Sequence, residues 1–365
     1  MHIKVVQKED EFFKLGPGWD ELVRRSPSAT VFQSWDWAST WWEHHRRGRK
    51  LYIVLVEDDQ GRLVGIVPLM RPVIHMYRRF MLLGTGGTDY LDFIIRDGYQ
   101  KEVLEAVLDH FYGREKGWEI LDLQEIPESS SVPQLLPEMA VARGLSLYQQ
   151  TQSVCPYLEL PATVEELHAL LSKKFRDNLK YYGRRLEREH AVEYCRLQEP
   201  ADLEEVMGEF FRLHQSRWLK KGLPGSFLTR RSRNFHLSIA RRFLQHGRLG
   251  LYLLKVDGAP VAALYSFQDE RRAYYYSGGF DPGWERASVG TLLLHHAIKE
   301  VIGADLKVFD FLRGDESYKY RWTEKASHNR HLALIRSRFA APIFLRSLAL
   351  EDTIVESVKR RVSQR

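Results

Sequence analysis

A chain of 365 residues, 44% apolar and 12% aromatic, exceeds what one hydrophobic core usually serves, and two folded domains are expected. No run approaches the roughly 18 apolar residues that cross a bilayer, and Met1–Gln7 lacks a signal peptide's apolar segment and cleavage site. A cytoplasmic protein without stable membrane insertion is therefore expected. The net charge of +6 is unevenly divided: residues 1–155 hold 18 Lys and Arg against 22 Asp and Glu, and the remainder holds 36 against 26.

In chain order, Trp35, Trp37, Trp41 and Trp42 stand at spacings within a helix that suit burial against a sheet better than a stacking platform for bases. The segment Leu51–Leu69 reads as strand, acidic turn with Gly61, and strand. Leu83–Asp89 is rich in glycine but lacks the Lys-Ser/Thr of a phosphate loop, so its glycines read as turn formers. A helix over about 99 to 116, a strand at Trp118–Leu123 and a surface loop over Pro127–Pro137 come next.

Lys173–His190 repeats Phe175, Leu179, Tyr182 and Leu186 at helical spacing and carries seven positive charges against three negative, which predicts an amphipathic helix with a basic face. Such a face suits tRNA phosphates, an anionic glycan, an acidic carrier or membrane headgroups, although a solvated basic face is the commoner outcome for such a helix. Leu251–Phe267 then repeats the earlier hairpin, with Asp257-Gly258 as its turn signal. Arg272–Tyr276 supplies a third strand, 288 to 302 a helix and Leu306–Phe311 a fourth strand. The order β-β-β-α-β thus occurs twice, which predicts an α/β protein of tandem domains, each around a mixed sheet. We expect domains over 1–158 and 159–340, with a C-terminal helix and basic tail over 341–365.

Only Cys155 and Cys195 occur, so no disulfide framework or thiolate metal cluster is signalled. The pairs His44-His45 and His295-His296 are adjacent, and adjacent residues point apart on a helix. No metal is expected.

The densest chemistry lies in Phe267–Tyr320, where a strand feeds a helix start whose free N–H groups suit phosphate. The next strand delivers proton-transfer groups to roughly the same end. Tyr276-Ser277-Gly278-Gly279-Phe280, Ser288-Val289-Gly290-Thr291 and Phe309–Trp322 in this region resemble the GNAT acyltransferase superfamily. Within it, they resemble the tandem-domain branch of FemAB-like and CelD-like proteins, the latter from bacterial cellulose operons. Phe32-Gln33-Ser34, Asp89-Tyr90-Leu91-Asp92 and Lys174-Phe175-Arg176 are similar to the same branch, so the likeness runs from about residue 30 to about 335. The chain departs from the family's phosphate-cradling spacing at Arg286, one residue further from Gly290, and at Leu292, where a small residue is usual.

The resemblance implies an N-acyltransferase that moves an acyl group, acetyl first among candidates, from acyl-coenzyme A to a primary amine. The acceptor would be a small molecule, an amino sugar or an intermediate of exopolysaccharide synthesis. Asp310, Asp315 and Glu316 are candidate bases, with Tyr276 and Tyr318 as acid or orienting hydroxyls. Ser277, Gly278, Gly279, Arg286, Ser288, Val289, Gly290, Thr291 and Arg313 are candidates for holding the coenzyme. Asp89, Tyr90, Asp92, Lys174, Arg176, Lys319 and Trp322 are candidates for the acceptor side. Two alternatives stand beside this reading: an aminoacyltransferase using aminoacyl-tRNA, and a non-catalytic accessory protein with the same fold.

Overall fold

The structure, a computed structural model, describes residues 1–348 apart from 116 and 338. The greater part of the expected C-terminal helix and tail, 349–365, lies outside the described residues. Among the described residues the strands are β1 (His2–Val6), β2 (Arg49–Glu57), β3 (Leu63–Pro72), β4 (Arg79–Leu82), β5 (Ile94–Ile95), β6 (Ile120–Pro127), β7 (Ser146–Glu159), β8 (Val192–Arg196), β9 (Leu249–Val256), β10 (Ala259–Gln268), β11 (Arg272–Phe280), β12 (Val308–Asp310) and β13 (Ala326–Ile335). The chain divides into two compact units, one of Met1–Val154 with the described residues from Ser327 onward, the other of Cys155–Ala326. Residues 327–340, expected in the second domain, thus belong to the first unit, because β13 pairs antiparallel with β6 from Asn329 opposite Pro127 to Ile335 opposite Ile120.

In the first unit the sheet runs β1-β2-β3-β4-β6-β13, with β5 on β3. The β4–β6 pair is parallel and its neighbours antiparallel, which makes the sheet mixed. The turn between β2 and β3 is held by Asp58, whose carboxylate accepts the N–H groups of Gln60 and Arg62. The central strands bury nearly every residue, which their continuous apolar runs require. The tryptophans of helix Trp35–His45 are packed, as their spacing predicts: Trp37, Trp41 and Trp42 are buried.

Pro127–Pro137, read as a loop, is instead mostly helix Ser131–Ala142. Its start is Ser130, whose side chain accepts from the Val132 N–H. Val132, Leu136 and Ala140 then face the core at helical spacing, which the surrounding prolines hide from a reading by composition.

In the second unit the end of β7, Tyr157–Glu159, pairs with β12, and β11, β10, β9 and β8 come next in that order. The hairpin between β9 and β10 turns on Asp257 and Gly258, both with positive φ, as the Asp-Gly signal predicts. Helix Lys173–Glu189 is capped by Ser172 and buries Phe175, Leu179 and Leu186 while its cations stay outside. Helices Leu203–Lys220 and Arg230–Gln245 lie between β8 and β9, and helix Val289–Gly303 links β11 to β12. Among the described residues no helix is long and apolar enough to cross a membrane.

Gly279 on β11 is set by packing. A Cβ there would lie 2.2 Å from the His214 backbone N and 2.5 Å from the Leu213 carbonyl carbon, so helix Leu203–Lys220 can approach the strand only over a hydrogen. Gly279→Ala should therefore lower stability in urea by about 2–4 kcal/mol, at or above the usual range for overpacking. Gly303→Ala, at a helix end with nothing within 4 Å of a Cβ, should be neutral or stabilising. Equal effects of the two changes would contradict this packing account.

Candidate active site

β11 and β12 are parallel partners over three residues only, Arg272–Tyr274 opposite Val308–Asp310. β11 then continues to Phe280, paired on its β10 side, while the chain leaves β12 at Asp310. Within that extension the β10–β11 register shifts: Tyr265 faces Ser277 and Ser266 faces Tyr275, so Tyr276 is the extra residue of a bulge. A bulge twists the strand and takes an amide out of ladder register. The second unit therefore contains a wedge between two parting parallel strands, with a bulge on one wall.

The other wall is held open by two buried groups. The Asp310 carboxylate, fully buried, accepts from Arg272 Nη1 at 2.7 Å and from the Leu312 N–H at 2.8 Å. Leu312 has φ +57°, uncommon for a branched side chain, and the second bond holds that turn. Lys319, 2% exposed, donates from Nζ to the carbonyls of Leu312, Arg313 and Gly314 at 2.9–3.1 Å and lies 2.9 Å from a Glu316 carboxylate oxygen. Asp310 and Lys319, expected as a base and an acceptor contact, are thus both engaged in shaping loop 311–319. Asp315 and Glu316 are exposed on that loop.

Tyr318 stands at the parting with its ring 6.5 Å from that of Tyr275. Burial, then the neighbouring Tyr275, raises the Tyr318 phenol well above its ordinary range. Burial likewise raises Tyr275. Both phenols are therefore protonated at neutral pH. Trp322 packs edge-on to Phe175 at 4.9 Å and stacks on His295 at 6.1 Å, so it belongs to the core under the site. Tyr276 points to His236, with its hydroxyl 3.4 Å from Nε2.

The bulged strand leads through a 3-10 turn, Pro282–Ala287, into helix Val289–Gly303. Ser288 is left-handed (φ 56°, ψ 29°) and gives no side-chain cap; its carbonyl accepts from Thr291 and Leu292. The leading N–H groups of Val289 and Gly290 thus take no cap from Ser288, at the positive end of the helix dipole. Ser277, Gly278 and Gly279 line the strand before this turn, and Arg286 is exposed beside it. Arg313 lies in the loop after β12. The helix start and the wedge are therefore joined by one short stretch of chain.

Sequence reasoning missed Arg217, on the helix that packs over Gly279, and Lys221, the residue that follows that helix. Arg217 donates to the Gly278 carbonyl at 3.2 Å and lies 5.3 Å over the Phe280 ring. Lys221 is lowered by burial and by Arg217, while Glu316 and Glu285 oppose the shift. Cations at spacings of three and four near a helix C-terminus, Arg217, Lys220 and Lys221, were the available signal.

Lys174 is exposed on its helix, and Arg176 donates to the His168 carbonyl at 2.8 Å. Asp89, Tyr90 and Asp92 are buried in the first unit. The Tyr90 carbonyl accepts from Gln33, and Asp92 accepts from Ser130 Oγ at 2.9 Å and the Phe93 N–H at 2.8 Å. Among the described residues no group of three or more His, Cys, Asp or Glu is placed to hold a metal.

Burial raises the Asp92 carboxyl to about 7, more than its hydrogen bonds lower it. A carboxyl whose folded value lies above its unfolded value of about 3.9 stabilises the fold fully below about pH 4, and that contribution is lost as pH rises through 7. Asp92→Asn should flatten this slope and unfold in urea at pH 8 with about 2–4 kcal/mol more stability than the parent. Persistence of the parent's pH slope in the variant would contradict the assignment.

The sequence profile of the family described as Acetyltransferase (GNAT) domain matches residues 173–320. FemX is similar in structure over 90% of this chain and 96% of its own, with 11% identity and a TM-score of 0.64. A conserved protein of unknown function from Bacteroides thetaiotaomicron aligns over 92% of this chain and 100% of its own, at 11% identity and a TM-score of 0.58. L-PGS from Bacillus licheniformis aligns over 96% of this chain and 97% of its own, at 11% identity and a TM-score of 0.54. At such identities the likeness is one of fold. No curated protein matches the chain.

Proposed function

We propose, from the premise that this chain is an acyltransferase of the GNAT family, that it moves an acyl group from acyl-coenzyme A to a primary amine by direct attack. The observation that carries the reading is the wedge between β11 and β12, with the bulge at Tyr276 on one wall and the neutral Tyr318 phenol at its mouth. A thioester carbonyl laid along β11 meets backbone N–H groups next to the bulge, which stabilise the oxyanion as it forms. The coenzyme's pyrophosphate then reaches the start of helix Val289–Gly303, with Arg286 adding charge.

The amine nitrogen bonds to the carbonyl carbon and the carbon–sulfur bond breaks. Tyr318 gives its proton to the departing thiolate, and the proton lost by nitrogen passes through water or the exposed carboxylates Asp315 and Glu316 and restores the Tyr318 phenol. Arg217 and Lys221 beside this mouth give the acceptor side a positive field, which suits an amine carried on an anionic small molecule, amino sugar or polysaccharide intermediate. With only two cysteines, Cys155 and Cys195, the chain carries no disulfide framework, which fits action in a reducing cytosol.

One observation favours a second donor. The exposed cations of helix Lys173–Glu189 suit a polyanion, as an aminoacyl-tRNA would present.

Acetyl-coenzyme A or a longer acyl homologue should raise the melting temperature of the protein, since it binds only the folded state. Gly290→Glu should abolish the rise: its side chain starts 3.2 Å from Phe280 and brings a negative charge to the helix start. No rise at millimolar coenzyme, with tight tRNA binding that weakens steeply with salt, would replace this reading by the second.

Tyr318→Phe should keep the thermal shift and lower kcat by roughly 10²–10³, the usual contribution of a positioned acid. An unchanged kcat would remove Tyr318 from the mechanism.

A further inference from the structure

The loop between β3 and β4 leaves aliphatic side chains in water: Ile74 is 92% exposed and Met76 81%, with Val73 beside them. A hairpin tip of this kind has no folding reason to be apolar, since none of the three contributes to a core. The stretch from 339 to 348 lies next to the base of this tip. Its Phe344 ring is 6.4 Å from Tyr77 and under the Arg79 guanidinium at 5.7 Å, and it adds Phe339, 89% exposed, with Ile343 and Leu345.

The surround is basic. Arg49 and Lys50 at the start of β2 face Pro72 and Arg71 at the end of β3, and the Val73 N–H donates to the Gly48 carbonyl. The register therefore brings 44–50 to the foot of the tip. Together 44–50, 71–79 and the described residues of 336–348 hold nine Lys and Arg and no Asp or Glu. Residues 1–155, which supply two of these segments, have an overall excess of acids, so the cations are gathered here and not spread. Arg46 is paired with Glu9 and Arg79 with Asp122, while Arg47 and Lys50 stand exposed.

We propose that this face of the first unit docks on an anionic lipid surface, with Ile74 and Met76 entering the interface and the surrounding cations meeting the headgroups. Aliphatic side chains at the tip of a basic surface match the two attractions of a bilayer boundary, apolar burial and negative surface potential. A second copy is disfavoured, because self-pairing across a two-fold axis opposes like charges. A nucleic acid gains nothing from exposed aliphatic side chains, which offer bases no stacking surface. The surface lies in the first unit and does not depend on the acyl donor proposed for the second.

The test is cosedimentation of the full chain with vesicles of phosphatidylcholine alone and of phosphatidylcholine with phosphatidylglycerol. Binding is expected only to the anionic vesicles and is expected to weaken with salt. Ile74→Glu with Met76→Glu should lower the partition constant at least roughly tenfold, and Arg47→Gln with Lys50→Gln by about tenfold at low salt, with melting curves unchanged. The proposal is overturned if the parent ignores anionic vesicles, or if it binds them equally well after both tip residues are replaced. It is also overturned if light scattering shows the parent as a dimer that Ile74→Glu with Met76→Glu dissociates, because the face then serves a second copy.

Discussion

Two parallel strands that stay paired would leave no room between them for a substrate, and this site depends on their being held apart. Asp310 ends the pairing by accepting the Leu312 N–H in a turn that a leucine does not adopt readily. Lys319 fixes the path of the loop beyond that turn by gathering three of its carbonyls. Both groups are buried and charged, and each is satisfied within a few residues of itself or by Arg272. A buried charge left without partners is costly, so this arrangement is kept or lost as a unit. The residues that look most chemical in this segment, Asp310 and Lys319, hold the walls, and the proposed reaction draws instead on the backbone of β11, on Tyr318 and on the start of helix Val289–Gly303.

Close packing on the opposite side makes the same strand rigid. Helix Leu203–Lys220 rests on Gly279 without a side chain between them, and that contact brings Arg217 to the Gly278 carbonyl. One glycine thus links the core of the second unit to the charge at the mouth of its wedge. A site built on a strand pinned from both sides has little freedom to misplace its amides, and electrostatic stabilisation of an oxyanion requires such placement.

Much of this was legible in the sequence, because hairpins, helix caps and period patterns are local signals. The repeated hairpins, the Asp257-Gly258 turn and the amphipathic helix from Lys173 are all present where their signals stand. The strand from Arg272 and the helix after Ser288 are also present where their signals stand. What escaped depends on contacts distant in sequence. Nothing near Asp310 reveals that Arg272 lies beside it, and nothing near Gly279 reveals the distant helix, at Leu213 and His214, that forbids a Cβ. The return of β13 to the first unit is invisible for the same reason: strand pairing with β6 spans about two hundred residues. Helix Ser131–Ala142 was obscured differently, by prolines in and around it whose composition outweighs an apolar spacing.

The central claim is that the donor lies along β11 and ends at the start of helix Val289–Gly303. Amide hydrogen exchange of the full chain with and without acetyl-coenzyme A tests it at the atoms concerned. Slower exchange at Tyr275–Gly279 and at Val289–Thr291, with little change elsewhere, is the result this account predicts. Bound coenzyme that leaves both stretches unchanged, or protects the first unit instead, would contradict it.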